Sequence, residues 1–307
     1  MRCPPSARTL LPACLLFLLP AAPSAFAQEL EPRTYSASPV GTHFLAATYA
    51  FLTGDVLTDP SLPITNVHAN LNFFTLGYVQ TFGIAGHAAS FGLAMPFARG
   101  NLSGNVVDAP QEIHRAGLGD LRLRFAFNLI GGPALSPEEF ARRAPATSVG
   151  VSLTVTAPTG QYVDSHLVNV GANRWSVKPE IGISQPVGNW FYEVSAGIWF
   201  FTDNSDFFLA HTRGQAPLCT VQLHAGYNFR AGLWLAGDVG YFAGGRTSVD
   251  GRENQDRQAN TRFGLTLSVP FARGWSAKLA ASKGLVARVG GDYKAISLTI
   301  QYRWFDR

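Results

Sequence analysis

Beyond residue 27, side chains able to do covalent or metal chemistry are sparse. There are seven histidines, His43, His68, His87, His114, His166, His211 and His224, and one cysteine, Cys219. None of the histidines stands at metal-ligand spacing, and the chain has no HExxH, CxxC, GxSxG or phosphate-binding glycine loop. A single thiol makes neither an internal disulfide nor a zinc site, and Cys219 reads as a small apolar side chain in an alternating segment. A barrel-wall lipid hydrolase needs a nucleophile beside a histidine near the membrane boundary. Most of these histidines fall in or beside loops or at segment ends, so the expectation is not an enzyme, with no cofactor and no metal. What the chain does carry is charge at alternate positions, as in Arg122 and Arg124 or Lys178 and Glu180. In an extended segment that spacing puts both members on one face. The chemistry available is electrostatic: sorting or holding a solute.

Those charges sit in segments of about ten residues that alternate apolar and polar. The clearest is Leu121-Arg122-Leu123-Arg124-Phe125-Ala126-Phe127-Asn128-Leu129, whose odd positions are all large and apolar. The pattern recurs from Phe91 to Phe97, Val149 to Val155, Val221 to Phe229, Phe263 to Phe271 and Ile296 to Trp304. Twelve such segments can be drawn, near 41–52, 68–82, 87–98, 117–130, 147–158, 174–185, 190–202, 217–230, 232–243, 261–271, 275–286 and 293–305. The fold class expected is all-β: a single antiparallel transmembrane outer-membrane β-barrel of about 12 strands, since an even count suits a closed bacterial barrel. Short links (83–86, 186–189, 230–231, 272–274) alternate with long ones (53–67, 99–116, 159–173, 203–216, 244–260), which are periplasmic turns and extracellular loops in such barrels. The link 131–146 breaks the alternation. It holds either a helical turn at 135–143, capped by Ser136 ahead of Pro137-Glu138-Glu139, or a missed strand pair.

A charge facing lipid at mid-depth costs ~2–4 kcal/mol. The apolar set must therefore face lipid and the polar set a lumen, lined by Asp120, Arg122, Arg124, Lys178, Glu180, Glu193, His224, Asp238, Arg262, Lys278 and Arg303. A tight turn around Ala231, with Phe229 facing Leu233, sets His224 opposite Asp238, both inward. That pair is either lumen filling or a binding or gating point. Arg122 and Arg124 require acidic partners, expected from Asp120 or the neighbouring strands. Asp120 and Asn173-Arg174-Trp175 invite a substrate role, but read first as sharp loop-to-strand transitions. Aromatic side chains favour the two membrane boundaries. Phe82, Trp190, Tyr192, Phe229, Phe271, Trp275, Trp304 and Phe305 are placed at the short-turn end. Trp175, Phe200, Phe201, Tyr241, Phe242 and Tyr293 are placed at the long-loop end.

Residues 1–27 have the form of an export signal: Arg2 and Arg8, an apolar run from Leu10 to Ala22, and Ala25-Phe26-Ala27 before Gln28. The leader carries two bases and no acid, so the 24 basic and 20 acidic residues of the whole chain become 22 and 20. That balance is no footprint of nucleic-acid binding. Only 14% of residues are charged, against roughly 25% in soluble domains. The organisation expected is a signal peptide over 1–27, a periplasmic segment over 28–40, too short for a plug domain, and a barrel over 41–307.

Several blocks resemble a family of bacterial outer-membrane proteins known as the MetA pathway of phenol degradation, or simply as transporters. They are Leu30-Glu31-Pro32-Arg33-Thr34-Tyr35-Ser36 with Pro39-Val40-Gly41 and Phe44; Asp59-Pro60-Ser61-Leu62-Pro63-Ile64; and Gly117-Leu118-Gly119-Asp120. The most specific is Pro158-Thr159-Gly160-Gln161-Tyr162 with Asn169, Gly171, Asn173-Arg174-Trp175 and Lys178-Pro179-Glu180. The resemblance implies a β-barrel that handles aromatic or other hydrophobic compounds. The functional expectation is an outer-membrane barrel for passive passage or capture of a small hydrophobic or aromatic solute, in contact with outer-membrane lipid. The competing classes are a non-transporting structural or surface-binding barrel, suited by the polar loop 244–260, and a barrel lipid hydrolase.

Overall fold

Period-two patterning becomes twelve wall strands because each has one apolar face to give to lipid and one polar face to give to a lumen. The computed structural model describes residues 30–57, 64–107, 109–287 and 290–306. The leader, its cleavage point and the Asp59–Pro63 motif lie outside them. The described residues form seventeen strands and one helix: β1 (Thr42–Leu57), β2 (Ile64–Ile84), β3 (His87–Val106), β4 (Ala109–Leu118), β5 (Leu121–Ile130), α1 (Pro137–Arg142), β6 (Ser148–Ala157), β7 (Ser176–Val187), β8 (Trp190–Phe201), β9 (Asn204–Phe207), β10 (His211–Gln215), β11 (Leu218–Arg230), β12 (Leu233–Gly244), β13 (Thr247–Val249), β14 (Arg252–Glu253), β15 (Gln258–Ala272), β16 (Trp275–Val286) and β17 (Gly290–Phe305).

The wall runs β1-β2-β3-β5-β6-β7-β8-β11-β12-β15-β16-β17 and closes on β1, antiparallel throughout. It is a closed antiparallel 12-stranded barrel. Closure pairs every wall strand on both sides and removes the free edges that lipid cannot solvate. Outward positions are apolar, among them Leu93, Phe125, Leu153, Val221, Leu265 and Leu298, all exposed. Cys219 is also exposed, on the same outward set.

The short turns carry the geometry that tight hairpins need. Ala85 and Gly86 both have positive φ, 49° and 80°, as a two-residue hairpin turn of the favoured hand requires. At the β11–β12 and β15–β16 turns a positive-φ glycine, Gly232 or Gly274, accompanies a register shift. Residues 228 and 234 pair in the register expected from the sequence, and so do His224 and Asp238. Next to the turn, however, Arg230 and not Phe229 faces Leu233. A bulge absorbs the extra residue that the right-handed strand twist demands.

The link 131–146 holds the helical turn rather than a strand pair. In α1 the Ser136 hydroxyl accepts from the Glu139 amide at 3.3 Å, and the Glu139 carboxylate accepts from the Ser136 amide at 2.9 Å. Those donors hold the Glu139 carboxyl below its ordinary range. The link docks on the β2–β3 turn through the Ala88 amide, which donates to Gly132, and the Ala134 amide, which donates to Gly86.

The sequence reading diverges from the structure above the membrane. The 99–116 stretch is not a loop: β3 continues to Val106 and β4 pairs back on it from Ala109 to Leu118. The links 203–216 and 244–260 together build a four-stranded sheet, β14-β13-β10-β9. Its members are too short to show a period: β9 pairs β10 and β13 pairs β14 within each link, and β10 with β13 joins the two. At its centre the Asp256 carboxylate accepts from the Thr247 amide at 2.8 Å and hydroxyl at 2.5 Å.

Residues 30–40 lie inside the barrel, where the sequence reading has a periplasmic segment. The Val40 amide donates to Leu135 at the short-turn end. From there the chain climbs the lumen wall formed by β6, β7, β8, β11 and β12, until Leu30 packs beside Gly240 and Gly264. The wall makes room with glycine. A Cβ on Gly182 would lie 2.2 Å from the Tyr35 ring, and one on Gly150 3.1 Å from it.

Candidate functional site

The lumen is divided by this inserted segment. Under it, on the β6-to-β12 side, inward charges are locked into a dense polar layer. The Glu180 carboxylate accepts from Tyr35 Oη at 2.8 Å and from Lys178 Nζ at 2.8 Å, with Arg124 Nη2 at 3.8 Å. The Glu193 carboxylate accepts from Ser36 Oγ at 2.7 Å and from the Arg33 amide at 2.5 Å. The Arg33 side chain donates to Asn228 and lies over the rings of Phe191, at 4.3 Å, and Trp234, at 5.4 Å. A cation between two aromatic faces gains ~0.5–2 kcal/mol from each, according to its desolvation. Ser148 Oγ donates to the Tyr35 carbonyl at 2.6 Å.

Glu193, His224 and Asp238 stand side by side across β8, β11 and β12. His224 Nδ1 is 2.6 Å from Asp238 Oδ1, and Thr266 Oγ1 donates to Asp238 Oδ2 at 2.8 Å. Asp238 is completely buried. His224→Ala is expected to destabilise the barrel by ~1–3 kcal/mol, because it strips a donor from a buried carboxylate. His224→Gln, which retains a donor, should recover about half of that. Urea midpoints from intrinsic fluorescence measure both, and equal midpoints for His224→Ala and the native protein would refute the pairing argument.

On the other side, β1, β2, β16 and β17 turn small side chains inward: Ala46, Thr48, Ala50, Thr75, Gly77, Ser276, Ala280, Ser297 and Thr299. Between this wall and the inserted segment is a cavity of about 1070 Å³. Nine lysines and arginines line it against three carboxylates, Glu31, Asp120 and Asp238. A second, far smaller cavity lies behind the segment, walled by Arg122, Arg124, Lys178, Glu180, Glu193 and His224.

The eleven residues assigned to the lumen thus fall in two groups. Asp120, Arg122, Arg124, Asp238, Arg262, Lys278 and Arg303 line the large cavity. Lys178, Glu180, Glu193 and His224 are covered by the segment and line only the small one. The partners expected for Arg124 are corrected: its acid is Glu180 on β7, and Ser152 Oγ on β6 accepts from it at 3.0 Å. Side chains in a narrow lumen reach past the adjacent strand. Asp120 serves a different purpose. It sits in the break between β4 and β5 and accepts from the Gly160 and Ala172 amides, each at 2.8 Å, pinning the 158–175 link.

The aromatic assignment also divides. Trp190, Tyr192, Phe229, Phe271, Trp275 and Phe305 are exposed at the short-turn end, and Trp175, Phe200 and Tyr241 at the other. Phe242 and Tyr293 are instead buried, and Phe201 is turned inward beside the buried Trp199, Leu218 and Phe242. At a strand end adjacent positions face opposite ways, so a run such as Phe200-Phe201 supplies both the membrane girdle and an aromatic lining at the lumen mouth. Sequence reasoning missed residues 30–36 as lumen components. No local signal marks them: the match of Arg33, Tyr35 and Ser36 to Glu180 and Glu193 exists only across 145 or more residues of chain.

This architecture is found in known proteins. The fold is similar to an outer membrane channel from Pseudomonas putida F1, with TM-score 0.75 and 22% identity over 90% of this chain and 100% of that one. It is less similar to the beta domain of the Bordetella autotransporter BrkA, with TM-score 0.50 and 11% identity over 85% of this chain and 99% of that one. No curated relative matches the chain. The family model described as "Putative MetA-pathway of phenol degradation" matches residues 53–304. That match takes in every strand of the barrel except the first part of β1 and the last residue of β17, and the chain belongs to this family.

Proposed function

We propose that the protein is an outer-membrane channel through which small aromatic or other hydrophobic compounds cross or are captured. The observation that carries this reading is the cavity of about 1070 Å³ inside a closed barrel whose outer face is apolar. Rings line the cavity at several levels, including Phe73, Trp199, Phe201 and Trp234, and give an aromatic solute apolar surface along its path. The family description, tied to phenol degradation, and the similarity to a protein described as an outer membrane channel support the same reading. The polar outer leaflet slows hydrophobic solutes, and a barrel offers a route past it, with selectivity set by lumen width and polarity.

Uptake of a labelled aromatic solute at limiting concentration, by cells with and without the gene, tests the proposal. A rate defect that vanishes when the outer membrane is permeabilised is the expected result. Unchanged initial rates across a broad solute panel, with no conductance in planar bilayers, would favour a structural or surface-binding barrel instead. We also propose that residues 1–27 are removed on export. N-terminal sequencing of the protein from outer membranes should begin at Gln28.

A further inference from the structure

The charge lining the large cavity is one-sided, while the chain as a whole is nearly balanced. Most acids that could neutralise the lumen are already committed, and Glu31, on the inserted segment, is shared among Arg124, Lys178, Arg122 and Lys278. Glu180 and Glu193 are buried under the inserted segment with their oxygens occupied by Tyr35, Lys178, Ser36 and Arg33. Asp238 is fully buried and holds His224 and Thr266. Asp120 holds two backbone amides.

Arg124 on the cavity wall has Glu180 and Ser152 as partners, but other bases there are matched less fully. Among the described residues Lys278 makes no hydrogen bond and no ion pair within 4 Å, and it shares the one carboxylate of Glu31 with three other bases. Arg303, at the short-turn mouth, makes only a cation–π contact with Phe305, at 5.3 Å. Besides Arg33 Nε on the inserted segment, three wall donors toward the long-loop end are buried beside the cavity with no acceptor among the described residues: Arg174 Nη1, Arg262 Nε and Trp199 Nε1. Their side chains are each more than nine-tenths buried. A buried donor left without an acceptor costs ~1–3 kcal/mol, so these side chains gain when a small reorientation brings an acceptor within reach. Arg174 and Trp199 also border the aromatic cluster of Phe201 and Phe242, so donors and ring faces meet at one place.

We propose that the cavity selects small organic anions, and aromatic carboxylates in particular, over neutral and cationic solutes of the same size. The carboxylate is received by the arginine and indole donors and passed toward Lys278 and Arg303, while its ring lies on the apolar wall. A lumen lined by bases concentrates anions and raises their rate of capture. This inference rests on the channel reading and narrows its solute class.

The test is reversal potential in planar bilayers holding the purified full-length protein under a salt gradient. With potassium chloride, the native protein should reverse on the anion side, with permeability to chloride several-fold above that to potassium. With potassium benzoate on one side, the reversal potential should show that benzoate carries current. Lys278→Glu with Arg303→Glu should bring the anion preference down to unity or below, in protein whose gel mobility still changes on boiling, as a folded barrel's does. The Lys278→Arg variant should keep the preference. If the double variant does not fold, the benzoate measurement on the native protein decides alone. Conductance with a reversal potential at zero or on the cation side, or exclusion of benzoate, would overturn this inference and leave the channel reading standing. Absence of any conductance would overturn the channel reading, and this one with it.

Discussion

Deletion of residues 30–38 is expected to raise single-channel conductance several-fold. The segment occupies one side of the lumen through contacts that no wall strand needs for its own pairing. Its removal opens the small cavity into the large one, and water takes over the bonds to Glu180 and Glu193. The barrel itself should survive, because closure depends on the ladder from β1 to β17. The same deletion should change ion preference, since it uncovers two carboxylates while the loss of Glu31 and Arg33 cancels in charge. Conductance in planar bilayers is the measurement, and gel mobility with and without boiling checks that the barrel has formed. Unchanged conductance in the folded deletion variant would show that the segment does not limit passage. A smaller perturbation tests the same contacts: Tyr35→Phe removes the hydroxyl that donates to Glu180 and should increase open-channel noise while leaving the fold intact.

The second large effect is expected on the lipid face. Phe125 is at mid-strand in β5, paired with Phe91 on β3 and Leu153 on β6, all three exposed. Phe125→Arg places a cation against hydrocarbon at a cost of ~2–4 kcal/mol, depending on depth. The adjacent Ala126→Ser adds a hydroxyl on the lumen side, level with Ser90 and Ser152, and should change stability by less than ~0.5 kcal/mol. Membrane-fraction yield and unfolding midpoints in urea compare the two. Equal tolerance of both substitutions would contradict the assignment of faces, because the argument depends on a one-residue step reversing the environment.

Much of the wall was readable because period two is a local property. Leu121 to Leu129 shows its two faces without reference to any other strand, and all twelve wall segments can be drawn in this way. Ser136 ahead of Pro137 and Glu139 is likewise a local capping signal, and α1 forms there. The His224–Asp238 pairing was accessible because a short turn fixes the register of the strands it joins. The bulge beside that turn was not, since it answers to strand twist.

Other features depend on residues distant in the chain. The four-stranded sheet of β9, β10, β13 and β14 exists only when two links meet. Arg124 finds its acid on β7, two strands away, because the long guanidinium side chain reaches along the inner wall past Ser152 on β6. Phe201, Phe242 and Tyr293 could not be told from girdle residues by type alone; which way each points follows from the exact register at its strand end.

The sequence by itself determined the twelve wall strands, the inward and outward faces of their central residues and the family, because alternation, turn residues and motif blocks are all carried by short stretches of chain. Only the tertiary structure decided which charges face the open lumen. Residues 30–40 contain one acid and one base, and nothing in that composition marks them as a lumen lining. Once the barrel closes, their donors cap Glu180 and Glu193, glycines on the facing strands admit the Tyr35 ring, and the acids on that wall are spent. A chain with nearly equal numbers of acids and bases is thereby left with a cavity lined mainly by bases. The physical reason is that electrostatic character in a lumen is set by which groups remain unpaired after packing, and pairing across a closed barrel is not a property of any one strand.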